Sequence, residues 1–447
     1  MAVRSWLVMG WLAAASAATV HAQQPLTLAE ALDRADRLAY PNRIARAARL
    51  AQEGEGKAAF RGILPTARVE TGWMRTTDPL NAFGFTLRQR AVTPAAFDPA
   101  RLNDPPATSH VNSALVLEQP LVNLDAWAGR RAASLASQAA GASERWTATR
   151  TRLDVVRIWF GGVLAGQKVA TLEAAVAAAR SHVRQAAALL EQGMVTRADL
   201  LLAEVKAGEL DADLISARGD LALATRQLAL VLGTPGDTAL TLPTNMPDRA
   251  ALDLALGGLD RLSGDPKTRA DVVAARLGQA AAESDLTRTR AALLPRINGF
   301  ARYDWNTADA LFGGQRAWTV GVMASWTPFS GGAELAAVQA ARGRAAMADA
   351  GAEAAAAQAG LEAADRDNAL AVARARLAIA DQAVAQSTEA HRLVGRSYAG
   401  GLATITDLLT AAAAETGSRL AHSAALSQVG VAAAERQQAR GLSLDFL

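Results

Sequence analysis

The sequence predicts a mainly α-helical protein that also builds a membrane β-barrel, with long coiled-coil helices continuous with strands shared between protomers. Three observations predict it. Two Pro-free, Ala-rich runs, residues 121–234 and 329–447, are long enough for helical hairpins far longer than a compact core requires. Four short stretches alternate apolar and polar residues, some bounded by Trp, as membrane strands do. The chain is also doubled: Pro120 (LEQPLVN) matches Pro328 (SWTPFSG), and Gly193 matches Gly401 at the same offset.

The first 22 residues read as a secretory signal, with Arg4 as the basic end, Trp6 to Ala18 as the apolar centre and Val20-His21-Ala22 as the cleavage site. That apolar run is short for a membrane anchor, and no later stretch approaches the ~20 apolar residues of a helical span. An exported chain without helical spans is therefore expected. There is no Cys, which excludes a disulfide framework, a thiolate metal site and a lipidated N-terminal Cys. With 46 basic against 43 acidic residues, there is no basic patch for nucleic acid.

After the signal, a first repeat is expected over residues 23–235, a linker or equatorial segment over 236–265 and a second repeat over 266–447. Each repeat opens with helical sequence that stops at a Leu-Pro, Leu64-Pro65 and Leu294-Pro295, because proline forces the preceding residue out of the helix. Strands follow, at 66–76 and 110–119 in the first repeat and at 296–305 and 317–327 in the second. Ile297, Gly299, Ala301, Tyr303 and Trp305 share one face, as do Trp318, Val320, Val322, Ala324 and Trp326. Val69, Thr71 and Trp73, and then Val111, Leu115 and Leu117, repeat the pattern more weakly. Trp73, Tyr303, Trp305, Trp318 and Trp326 are the expected membrane-interface aromatics. A two-sided strand in a soluble sandwich is the alternative. The stretch Asp78–Pro106, rich in Pro, Phe and Asn, is expected to be an external loop.

Small-residue seams run through the helical stretches. Leu214, Ala217, Leu221, Ala224, Leu228 and Val231 step by three and four, as do Leu370, Ala373, Leu377, Ala380, Val384, Ser387, His391 and Val394. Gly161-Gly162 is read as a bend and not an end. Within the linker, 250–262 is a possible short helix.

Two nearly identical stretches, Leu189–Val205 and Ser397–Ala413, lie midway along the helical runs. Each carries a Gly (Gly193; Gly400-Gly401), an Asp (Asp199, Asp407) and then Leu-Leu. The glycines predict the turned tips of two hairpins. The two acids have two readings: they stabilise the first turn of the returning helix, or they narrow a pore mouth and attract cations.

Four strands cannot close a barrel, and an open sheet edge cannot face lipid. The protein must therefore be a homo-oligomer whose helices run away from the barrel into water. With its Leu-Pro-strand junctions, its QPL and TPFSGG strand ends and its Tyr398-x-x-Gly401…Asp407-x-Leu409 tip, the whole mature chain resembles the TolC-like outer-membrane efflux proteins. These are the outer membrane factors, exit ducts of tripartite pumps and type I secretion systems. The resemblance implies a homotrimer with a 12-stranded β-barrel above an α-helical barrel in the periplasm. It also implies a periplasmic adaptor and an inner-membrane pump of the resistance-nodulation-division or ABC type as partners. It places Asp407, Tyr398 and Asp199 at a periplasmic gate and makes Gly193, Gly400 and Gly401 the adaptor-docking tips. Thr410 and Ala403 stand where the family's best-known member has a second acid and a gate Arg, which makes the constriction less anionic.

No enzyme chemistry is expected. His110, His182, His391 and His422 stand isolated in sequence, without a carboxylate or second His at ligand spacing. His391 is expected to be a packed or pore-lining residue. Asp365-Arg366-Asp367-Asn368 lacks the Gly and distant Glu of a calcium loop. No P-loop or nucleophile elbow is present, and no cofactor or metal is expected. The rival to a channel is a soluble periplasmic coiled-coil protein acting as an adaptor or spacer.

Overall fold

The computed structural model describes residues 25–234, 240–246 and 262–444, together with residues 249, 250, 254, 257 and 258. The signal segment 1–22, parts of the linker and most of its possible short helix lie outside them. The first repeat holds α1 (Leu28–Leu38), α2 (Tyr40–Ala58), β1 (Thr66–Thr76), α3 (Pro79–Arg88), α4 (Pro99–Asn103), β2 (Thr108–Val122), α5 (Leu124–Glu191) and α6 (Arg197–Val231). The second holds α7 (Ala270–Ala291), β3 (Arg296–Thr307), β4 (Gln315–Ser325), α8 (Ala333–Ala399) and α9 (Ile405–Ala439). Among the described residues, no helix is long and apolar enough to cross a membrane.

The helices α5 and α8, of 68 and 67 residues, each span about 100 Å at ~1.5 Å per residue. Helix α5 runs through Gly161-Gly162 without a break. Gly162 also marks a close approach, where a Cβ would collide with Leu242 of the linker. The seams pack as their spacing requires, with Leu214, Ala217 and Leu228 buried on α6 and Leu370, Ala373, Leu377 and Ala380 buried on α8. Small residues at these positions let the helix axes come close.

The main apolar core sits at mid-length, where α1 and the linker wrap the long helices. Leu28, Leu32, Trp159, Phe160, Leu228, Leu377 and Val429 belong to it, and Trp159 Nε1 donates to the Leu26 carbonyl at 3.0 Å. Ion pairs staple the same level: Glu435 receives Arg157 and Arg366, while Asp367 receives Arg436 and Arg440.

The strands form one antiparallel sheet in the order β1-β2-β3-β4, with the two repeats joined through β2 and β3. Its outer strands, β1 and β4, pair on one side only within the chain. Three of the four strands differ in extent from the sequence reading, with β3 running on to Thr307. Strand β2 continues to Val122 past an irregularity at Pro120, where proline offers no N–H to the ladder. Strand β4 runs from Gln315 to Ser325 and leaves Trp326 just beyond it, its Nε1 donating to the Leu293 carbonyl at 3.0 Å.

Candidate functional site

The register gives the sheet two unlike faces. Val69↔Leu115, Leu115↔Tyr303 and Tyr303↔Trp318 bring the apolar residues of all four strands to one side, joined there by Trp73, Ala301, Val320 and Val322. That side is bare: Trp318 is 71% exposed and Val322 68%. Trp305 is half-buried, packing on Tyr303 at 4.8 Å and on Phe312 at 5.7 Å. The aromatics at the loop end are Trp73, Tyr303, Trp305 and Trp318; at the helix end Trp326 is joined by Trp127, 55% exposed at the start of α5. Trp127 escaped the sequence reading because it lies in a helix and not in an alternating stretch.

The opposite face is polar and self-satisfied. Arg302 donates to Glu70 (2.9 Å), Asp304 (2.9 Å) and Asn112 (3.0 Å), and Arg68 donates to Glu70 at 2.8 Å. The stretch between β1 and β2 folds onto this face instead of trailing as an open loop. Phe85 of α3 stacks on fully buried His110 at 4.4 Å, and Gln89 Nε2 donates to the carbonyls of Ser109 (2.9 Å) and Thr307 (3.2 Å). Asp-Pro starts both short helices, with Asp78 and Asp98 capping and the proline at the first turn.

At the other end of the long helices, both tips are built identically. Gly193 and Gly401 each sit at φ +72°, a conformation that a Cβ disfavours. Gly193 N–H donates to Leu190 and Met194 N–H to Leu189; Gly401 N–H donates to Tyr398 and Leu402 N–H to Ser397. That paired closure is the Schellman motif. Gly400 is the C-cap and keeps a negative φ. The returning helices then start with a capping box. Asp199 accepts from the Thr196 N–H and hydroxyl, both at 2.8 Å, and the Asp199 N–H donates to Thr196 Oγ1 at 3.2 Å. Asp407 does the same with Thr404 at 2.9, 2.7 and 3.2 Å. These bonds hold both carboxyls below the usual range: the backbone bond from Thr196 is the larger cause for Asp199, the Thr404 hydroxyl for Asp407. Both acids therefore serve as helix caps. Asp199 is half-buried and Asp407 exposed.

Tyr398 does not point into open space. Its ring is 2% exposed, packed with Ala186, Ala203, Ile405, Leu408 and Leu409 where the two hairpins meet. Its hydroxyl is buried without a hydrogen-bond partner. Burial, and then the charge of Asp199, push its pKa up.

The expected isolation of the histidines is overturned one layer above the tips. His182 of α5 and His391 of α8 meet edge to face at 5.7 Å, and His391 Nδ1 lies 2.5 Å from Glu415 of α9. Thr388 Oγ1 (3.2 Å) and Arg419 Nε (3.0 Å) also donate to Glu415. His422 likewise meets Asp381 at 2.9 Å. These partners come from different helices, so no spacing along the chain announces them. The His182–His391 layer borders a cavity of about 470 Å³ between the hairpins, also lined by Lys206, Asp213 and Arg419. Among the described residues, no group of three or more His, Cys, Asp or Glu could hold a metal ion.

Residues 267–441 match the family model described as "Outer membrane efflux protein". No curated protein matches the chain. Among solved structures, the chain is similar to the outer membrane protein VceC from Vibrio cholerae, at 19% identity and a TM-score of 0.78 over 94% of this chain and 97% of that one. It is also similar to a membrane protein from Pseudomonas aeruginosa, at 20% identity and a TM-score of 0.79 over 93% of each chain. The MtrE outer membrane channel of Neisseria gonorrhoeae, solved in its open state, matches at 18% identity and a TM-score of 0.74 over 94% of this chain and 90% of that one.

Proposed function

We propose that this chain, whose residues 267–441 match the outer membrane efflux protein family model, is a homotrimeric exit duct of a tripartite pump or a type I secretion system. The single observation that carries this reading is the two-faced sheet with both outer edges unpaired. Unpaired edges cannot face lipid, so β1 of one protomer pairs with β4 of the next, and three sheets close a 12-stranded barrel. The bare apolar face then meets lipid, with Trp73, Tyr303, Trp305 and Trp318 at the outer interface and Trp326 and Trp127 at the inner one. The polar face, with its Arg302 network, lines the lumen.

The long helices carry the lumen through the periplasm, and the tips at Gly193 and Gly400-Gly401 dock the adaptor of an inner-membrane pump of the resistance-nodulation-division or ABC type. Residues 1–22 direct export and are removed. The gate is the ring of tips. Tyr398 holds the two hairpins of one protomer together, and three copies of Asp407 face the mouth. Asp199, half-buried beside Tyr398, sits within that contact.

Native mass spectrometry in detergent tests the assembly: a trimer is expected, and a monomer, or recovery from the soluble periplasm without detergent, would sink it in favour of the adaptor or spacer. Planar-bilayer recordings test the gate. Asp407→Asn keeps the helix start but removes three charges, so cation preference should fall. Unchanged selectivity would leave Asp407 with its capping role alone.

A further inference from the structure

Where the strands hand over to the helices, a cavity of about 550 Å³ opens on the polar side of the sheet. Four arginines line it: Arg61 from the turn after α2, Arg130 from α5, Arg288 from α7 and Arg296 from β3; Glu118 and Asp125 are its acids. Both acids are engaged. Asp125 pairs with Arg296, and Glu118 accepts from Asn298 Nδ2 at 2.9 Å. Arg288 pairs with Asp285 at 2.7 Å. Among the described residues, Arg61 and Arg130 have no carboxylate within ion-pair distance, and the Arg130 guanidinium carbon lies 4.3 Å from the Phe60 ring centroid.

The cavity is built and not incidental. Arg288 passes close over α5 at Gly129, where a Cβ would meet its Cδ at 3.0 Å. A Cβ on Gly62 would meet the Ala126 Cβ at 2.9 Å, so glycine lets the Arg61 turn close on α5. The positive end of the α5 dipole points to the same place. Farther up the same face, Arg68 and Arg302 are matched by Glu70 and Asp304. Between the cavity and α3, the arginines of this face are thus matched, whereas Arg61 and Arg130 at the base are not.

We propose that this cavity is an anion-binding vestibule that takes the carboxylate or phosphate of a small molecule in transit. The proposal rests on the trimeric-channel reading, which sets three such cavities around the lumen. Guanidinium forks suit these planar or tetrahedral anions in two-point contact. A ring of unmatched cations in a narrow, low-dielectric throat concentrates anions there. Exposure to the lumen keeps the binding weak enough for release.

The test titrates full-length protein in neutral detergent with tripolyphosphate by calorimetry at low salt. Wild type should bind, and the double variant Arg61→Gln/Arg130→Gln should lose at least tenfold in affinity. Arg392→Gln, which removes an exposed arginine paired with Glu389 far down the helices, should stay within twofold of wild type. Equal affinity in all three, or no binding by wild type, overturns the proposal. Repeating the titration in phosphatidylcholine nanodiscs with and without phosphatidylglycerol separates the sources of phosphate. Unchanged binding supports a luminal anion, and displacement by the anionic lipid assigns the cavity to headgroups and overturns it. If Arg61- and Arg130-dependent binding persists while no conductance forms in planar bilayers, the channel reading fails and the anion site stands. Conductance without such binding removes the site and leaves the channel.

Discussion

The two hairpin tips share a backbone but not a fate. Each closes on a glycine at φ +72° and restarts on a Thr-Asp capping box. Their side chains diverge. In the second tip Ile405, Leu408 and Leu409 are buried around Tyr398. The first has Arg197 and Leu190 where Ile405 and Tyr398 stand, and it leaves Met194, Leu201, Leu202 and Val205 at 61%, 48%, 44% and 59% exposure. Both hairpins feed the cluster around Tyr398, but the first tip leaves four large apolar side chains exposed where the second exposes Leu402. Such exposure calls for a partner, and in the proposed trimer a neighbouring tip or the adaptor supplies it. Local turn chemistry is therefore duplicated, whereas the packing that decides which hairpin can move is not.

The largest test of this asymmetry is Tyr398→Ala. Truncating a buried ring removes about 3 kcal/mol or more of packing, so hydrogen exchange of the amides in 394–409 should speed up through easier local opening. Leu190→Ala, at the matching place in the first tip, should change exchange much less. Equal effects would erase the distinction between the two tips. Tyr398→Phe sharpens it: the hydroxyl is buried without a partner, so its removal should leave the seam as stable or more so.

A smaller effect tests the shared part. Thr196→Ala and Thr404→Ala each remove an N-cap, for which about 1 kcal/mol is the usual loss. Both should weaken protection of the first turns of α6 and α9 by similar amounts. A loss at one tip only would mean that packing and not capping holds that turn.

What was legible in the sequence follows the range of the interactions. The helical runs, the seam at Leu370, Ala373, Leu377 and Ala380, the strand faces and the turning glycines all obey short periods or local backbone rules. The capping boxes were equally local, yet a reading that stops at Asp199 and Asp407 misses Thr196 and Thr404, although Thr-x-x-Asp is the signal. Asp78-Pro79 and Asp98-Pro99 likewise announced helices in a stretch expected to be loop. By contrast, Tyr398 in the seam, Phe85 on His110, and Arg61 beside Arg130 join residues brought together only by tertiary packing. No spacing encodes those meetings.

The smallest expected effect concerns the layer above the tips, where His182 of the first hairpin meets His391 of the second. Burial, and then the neighbouring His391, lower the His182 pKa. Burial raises the Glu415 pKa, but the hydrogen bonds from His391 and Arg419 more than offset that, leaving it below its usual value. The two groups act in different windows. A histidine with a lowered folded-state pKa takes up its proton more readily when the seam is open. The closed seam therefore holds its full stability above the ordinary histidine value of about 6.5 and loses part of it as pH falls below that point. Glu415, lowered as well, contributes above the ordinary carboxylate range, and its share is lost only as pH falls through its folded-state value. Lys206, Asp213 and Arg419 line the same cavity. Crosslinking between α5 and α8 near this layer should thus be less efficient at pH 5.5 than at pH 7.5. His182→Phe should flatten that difference while keeping the edge-to-face contact. A pH response that survives His182→Phe would move the sensor elsewhere, with His422 beside Asp381 the next residue to replace.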